Sequence, residues 1–224
     1  MSIATFYLDN RFIITSIYTL IMIISCAMIY LKTAKIYRAT KYAGIGYFCN
    51  AFLFYALGFL AIYSQEWYTL LTDSPIAVYI TIPMEYFLMM GGFYLVYSLL
   101  WKNFEDIKEK IHLDRMVMMH IVAVIVALLD FFWTQEYLMF SVEIIVGLYA
   151  VFTIYNNYSR DMKNKYQQFY LISMVCNVIA WAMYFMTMIT RNAYPMMMAY
   201  TYVVVFLTFM LLLYTVLRVT SQNA

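Results

Sequence analysis

The sequence predicts an all-α, polytopic membrane protein with seven transmembrane helices. Its 224 residues are 66% hydrophobic and only 12% charged, whereas a soluble domain is about half apolar and about a quarter charged. The few charges lie in clusters between long apolar runs. This pattern excludes one large soluble core. It predicts a single transmembrane domain over residues 1–224 with almost no mass outside the bilayer.

Seven apolar runs are expected to form the helices. A helix needs about 20 mostly apolar residues to cross the hydrocarbon core of a bilayer, and the runs are of about that length. In chain order they span about 12–31, 43–63, 75–101, 116–133, 137–157, 169–190 and 194–217.

The first three runs have recognisable ends. The first follows Arg11 and stops at a basic segment, and the second begins directly after that segment. Trp67 lies just beyond the second run and Trp101 closes the third, at positions where amphipathic rings favour the membrane interface. The third run starts at Pro75 and holds one charge, Glu85, near its middle.

The last four runs are equally well marked. Only residues 134–136 separate the fourth run from the fifth, which predicts a tight helical hairpin at the membrane surface. The fifth run contains Glu143, and the sixth and seventh contain no charged residue. The first apolar run is too long for a cleavable signal peptide, so we expect none.

The distribution of Lys and Arg predicts the orientation. Segments 31–42, 102–115 and 158–168, with Arg218, carry twelve of the fourteen basic residues and face one side of a seven-helix chain. The other side has only Arg11 and Arg191. Because cytoplasmic loops are enriched in Lys and Arg, we expect the N-terminus outside and the C-terminus in the cytoplasm.

Two carboxyl groups inside the runs are the best candidates for a site. Glu85 and Glu143 both fall in the outer half of the predicted bundle, and no Lys or Arg lies inside any run. A carboxylate at this depth is costly unless it faces protein, water or a ligand. Two interpretations stay open. Each carboxyl is protonated and hydrogen-bonds to a neighbouring helix, or the pair forms a ligand, proton or cation site together with Tyr86.

Cofactor and metal chemistry find little support in the sequence. No run contains a lysine that could form a Schiff base with retinal, and we expect no cofactor. Met84, Met89 and Met90, with Met196–Met198, supply thioethers that suit Cu(I). Methionine also fills gaps in apolar cores, so metal binding is left unknown.

The expected function is therefore non-enzymatic. The two histidines, His112 and His120, form no HExxH motif, and neither a phosphate loop nor a GxSxG elbow is present. The leading interpretation is a receptor-like or sensory module of the cell membrane, with an outer-half pocket. The alternatives are an accessory subunit of a larger membrane complex and a small transporter. The expected partners are the bilayer and either other membrane proteins or a cytoplasmic protein at the basic linkers, and no nucleic acid.

Overall fold

The computed structural model describes residues 10–72, 79–101, 109–133, 137–160, 165–190 and 195–222. These residues form seven α-helices and no strand, which confirms the predicted all-α class for the described part of the chain. In chain order the helices are α1 (Arg11–Thr40), α2 (Ala43–Thr72), α3 (Thr81–Leu100), α4 (Glu109–Trp133), α5 (Tyr137–Arg160), α6 (Lys165–Ile189) and α7 (Pro195–Gln222).

Six of these helices, all except α3, are long and apolar enough to cross a membrane. The chain is therefore an integral membrane protein. The third helix, which carries Glu85 and three tyrosines, is not among these six. Pro75, where the third run was expected to begin, lies outside the described residues, and α3 starts at Thr81. A seventh span and the orientation of the termini stay predictions.

The first two helices are longer than the apolar runs that predicted them. Each has 30 residues and is therefore about 45 Å long, compared with about 30 Å for the hydrocarbon core. The last turns of α1 carry Lys32, Lys35 and Arg38, all exposed. A tight turn at Lys41 then leads into α2, with the Lys41 N–H donating to the Tyr37 carbonyl at 2.7 Å. Most of the predicted basic linker is thus a helical extension of α1.

Six helices pack in a closed ring. Among the described residues, contacts run in the order α1, α2, α3, α5, α6 and α7, and α7 then returns to α1. The fourth helix lies outside this ring and contacts only α3 and α5 within the described part of the chain. The centre of the ring, rather than the centre of all seven helices, is where a cavity can form.

The predicted hairpin between α4 and α5 is held by a buried carboxylate. Asp130, near the end of α4, accepts hydrogen bonds from the backbone N–H groups of Leu138 at 3.0 Å and Met139 at 2.7 Å. These N–H groups belong to the first turn of α5, where no intrahelical acceptor exists. Residues 134–136 lie outside the described residues. The Asp130 contacts nevertheless fix the end of α4 beside the start of α5.

The outer surface of the helices suits lipid. Large apolar side chains on several helices are more than 60% exposed, among them Leu31, Met118, Phe132 and Ile145. In water such exposure would be costly, whereas in a bilayer these side chains meet acyl chains of similar polarity. This surface therefore contacts the lipid bilayer, as the composition predicted.

Candidate ligand-binding cavity

A cavity of about 410 Å³ lies inside the ring of six helices. It occupies the end of the bundle where α1, α3, α5 and α7 begin and where α2 and α6 end. The predicted orientation places this end on the outer side of the membrane. All six ring helices line the cavity, and no described residue of α4 does.

Aromatic side chains form one wall. The rings of Tyr18 and Tyr202 stack with centroids 4.3 Å apart, and this pair joins α1 to α7. Phe140 of α5 stacks on Tyr184 of α6 at 5.7 Å and also contacts Trp181 at 5.8 Å. Such ring pairs stabilise by about 0.5–1.5 kcal/mol beyond their buried area. The wall is therefore a connected aromatic surface that can pack against an apolar ligand.

The floor of the cavity is also aromatic, with one amide. Phe209 of α7 lies 5.8 Å from Tyr55 and 5.7 Å from Phe59, both on α2. Asn177 lines the cavity one helical turn deeper than Trp181, and no hydrogen bond joins its side chain to any described residue.

The mouth of the cavity is polar. It is lined by Arg11 at the start of α1 and by Gln65, Glu66 and Thr69 on the last turns of α2. Arg11 and Glu66 are close enough to interact electrostatically. Sequence reasoning missed the α2 residues because they follow the apolar run and were assigned to an outer connection. One sequence signal could have revealed them. No Gly or Pro occurs from Phe59 to Thr72, so nothing in this stretch ends the helix.

Glu143 lies just behind the cavity wall. It is one helical turn deeper on α5 than Met139, which lines the cavity, and its side chain is only 1% exposed. Its carboxyl group packs against Gly92 of α3, where an added Cβ would lie 2.5 Å from Oε2. Oε1 has no hydrogen-bond partner among the described residues.

Glu85 and Tyr86 lie on different sides of α3. Glu85 is fully buried. Met84 and Leu88, which lie near it in the sequence, line the cavity, whereas Glu85 does not. Glu143 meets α3 at Gly92, seven residues and about 10 Å along the helix from Glu85. The residue Glu85 and the carboxyl group of Glu143 therefore lie at different levels along α3.

Tyr86 instead faces α4. Its hydroxyl lies 2.7 Å from Nδ1 of His120, and this hydrogen bond joins α3 to the peripheral helix. Neither residue lines the cavity. The structure thus separates Tyr86 from the position where the ligand site was expected, and its assignment to that site stays a prediction, as do those of Glu85 and Glu143.

The described residues contain no group of three or more His, Cys, Asp or Glu side chains placed to hold a metal ion. The methionine-rich segments are divided. Met84 and Met198 line the cavity, whereas Met89 and Met90 pack in the core.

Comparison with known proteins finds no matching family, no matching curated protein and no matching solved structure. The functional argument accordingly rests on the site itself.

Proposed function

We propose that this protein is a non-enzymatic, receptor-like protein of the cell membrane that binds a small molecule in the cavity of the helix ring. One observation carries the proposal, namely a cavity of about 410 Å³ with a mostly apolar lining and a few polar groups. Ligand sites are concave, are lined mainly by hydrophobic and aromatic side chains, and typically measure about 300–1,000 Å³.

The output of such a receptor would pass through its cytoplasmic side. The first helix, α1, continues beyond its apolar run, and this extension carries the exposed basic side chains of Lys32, Lys35 and Arg38. The start of the same helix contributes Arg11, Thr15 and Tyr18 to the cavity. A ligand that shifts α1 would therefore also shift this basic end, where an acidic surface of a partner protein could bind.

The proposal can be tested with 1-aminoanthracene, an uncharged aromatic fluorophore whose emission rises in an apolar cavity. The protein would be held in lipid nanodiscs, and emission would be titrated in the wild type and in two variants. Val205→Phe adds a ring at a cavity-lining position, whereas Val203→Phe adds the same ring at a position that is 55% exposed to lipid.

We expect saturable emission in the wild type and in Val203→Phe. Val205→Phe should weaken binding by about tenfold or more because the added ring occupies the space that the probe needs. Equal binding by both variants, or only non-saturable uptake that matches empty nanodiscs, would contradict the proposed function.

A further inference from the structure

The charges around the cavity restrict the kind of molecule that it can hold. Among the described residues that line the cavity, only Arg11 and Glu66, both at the mouth, are charged. They have opposite signs and interact with each other. A ligand with a net charge would be attracted by one of them and repelled by the other, and it would have to lose its hydration deeper in the aromatic part.

Among the described residues, the deep part of the cavity offers one amide to a ligand, that of Asn177. Tyr18, Tyr55 and Trp181 also line the cavity, and their hydroxyl and indole N–H groups have no hydrogen-bond partner among the described residues. Asn177 presents an amide, which can both donate and accept a hydrogen bond. It lines the floor beside aromatic rings and has no hydrogen-bond partner among the described residues. A buried amide gains most from a ligand group that can pair with it, because an unmatched polar group in an apolar site is costly.

We infer that the ligand is an uncharged, mainly apolar and preferably aromatic molecule that carries one hydroxyl, carbonyl or amide group, which pairs with Asn177. The inference rests on the proposed function, since it specifies the ligand class of the same cavity. The aromatic rings of Tyr18, Phe140 and Tyr202 hold the apolar body, and the Asn177 amide fixes its orientation.

Three probes with one body separate the ligand classes. They are 4-phenyl-1-butanol, 4-phenylbutylammonium and 4-phenylbutyrate, which are uncharged, cationic and anionic at neutral pH. Binding would be measured by the rise in the melting temperature of the protein in nanodiscs, because a ligand that binds the folded state alone raises it. We expect the alcohol to bind at least about fivefold more tightly than either ion.

A pair of asparagine variants tests the role of the amide. Asn177→Leu removes hydrogen bonding with little change in size, and Asn50→Leu makes the same change at an asparagine outside the cavity lining. Asn177→Leu should weaken binding of the alcohol about fivefold and leave binding of butylbenzene, which lacks the hydroxyl, unchanged. Asn50→Leu should leave both unchanged.

The outcomes separate this inference from the proposed function. Tightest binding by the ammonium compound, abolished by Glu143→Gln, would overturn the uncharged class, while the cavity would remain a ligand site. Equal weakening of the alcohol and of butylbenzene in Asn177→Leu would overturn the role of the amide. Absence of saturable binding by all three probes and by 1-aminoanthracene would contradict both proposals.

Discussion

At the scale of single residues, Asp130 has the most direct structural role. Its side chain is 1% exposed, and its two oxygens accept hydrogen bonds from two backbone N–H groups at the start of α5. A carboxylate at a helix N-terminus also interacts favourably with the helix dipole. Asp130 lies near the end of the fourth apolar run, and no sequence pattern there indicates that it caps the next helix.

Replacing Asp130 should therefore destabilise the α4–α5 hairpin. We expect Asp130→Ala to lower the free energy of unfolding by about 1–3 kcal/mol, because both N–H groups lose their acceptor. Asp130→Asn should cost less because its carbonyl oxygen still accepts one bond. The measurement is denaturant or thermal unfolding in a mild detergent. Asp114→Ala, at an exposed carboxylate on the same helix, should change stability by no more than about 0.5 kcal/mol. An equal effect of both alanine variants would argue against a capping role.

The two intramembrane carboxyl groups illustrate what residue types can and cannot predict. Their burial followed from the cost of a charge in lipid, and the structure confirms it, with 0% and 1% exposure for Glu85 and Glu143. Gly92 of α3 allows a close approach of Glu143, because an added Cβ there would meet the carboxyl group. The direction in which a side chain of α3 points relative to the other helices depends on how the helices pack, which residue types do not predict. Tyr86 faces α4 for this reason.

At the scale of the helices, the Tyr86–His120 hydrogen bond is one contact that joins α3 to α4. His120 lies among aromatic rings, 6.3 Å from Phe54 and 6.2 Å from Tyr94 between ring centroids. Because α4 is outside the ring and its apolar surface is already compatible with lipid, burial adds little to its association with the bundle. A hydrogen bond in this setting contributes about 0.6–2 kcal/mol.

Loss of this bond should affect stability and leave ligand binding alone. We expect Tyr86→Phe to lower the free energy of unfolding by about 0.6–2 kcal/mol and to keep the wild-type affinity for 1-aminoanthracene. Tyr94→Phe is the matched control, since Tyr94 also contacts His120 but makes no hydrogen bond to it among the described contacts. A large loss of affinity in Tyr86→Phe would instead support the sequence-based assignment of Tyr86 to the ligand site.

Helix ends were the least predictable feature at this scale. Apolar runs report where a chain is surrounded by lipid, whereas a helix continues into water wherever no residue breaks it. For α2 this difference amounts to nine residues, from Ser64 to Thr72, and those residues supply most of the cavity mouth. Sequence reasoning therefore predicted the helices well and missed the polar part of the site.

At the scale of the whole molecule, the arrangement of the helices determines where a ligand can bind. Seven runs predicted seven helices but not their order in space. The ring of six with α4 outside depends on contacts such as Tyr18–Tyr202 between the first and last helices, which are remote in sequence. The outer-half location of a pocket was predicted from two glutamates, yet neither glutamate lines the cavity, whose walls are built by apolar, aromatic and polar residues of six helices.

The central claim is that this cavity opens to the outer side of the membrane. The most direct measurement is the reaction of a single cysteine at Ala180, a cavity-lining residue of α6, with a membrane-impermeant methanethiosulfonate reagent added to intact cells. Cys26, Cys49 and Cys176 would first be replaced. Ala123→Cys is the matched control, because Ala123 is equally buried but lies on α4, away from the cavity.

We predict that Ala180→Cys reacts at least about tenfold faster than Ala123→Cys, because thiol reactivity requires access to the reagent, and that 4-phenyl-1-butanol slows the reaction. Reaction of Ala180→Cys only when the reagent reaches the cytoplasmic side, or at the same rate as Ala123→Cys, would contradict an outward-facing ligand cavity.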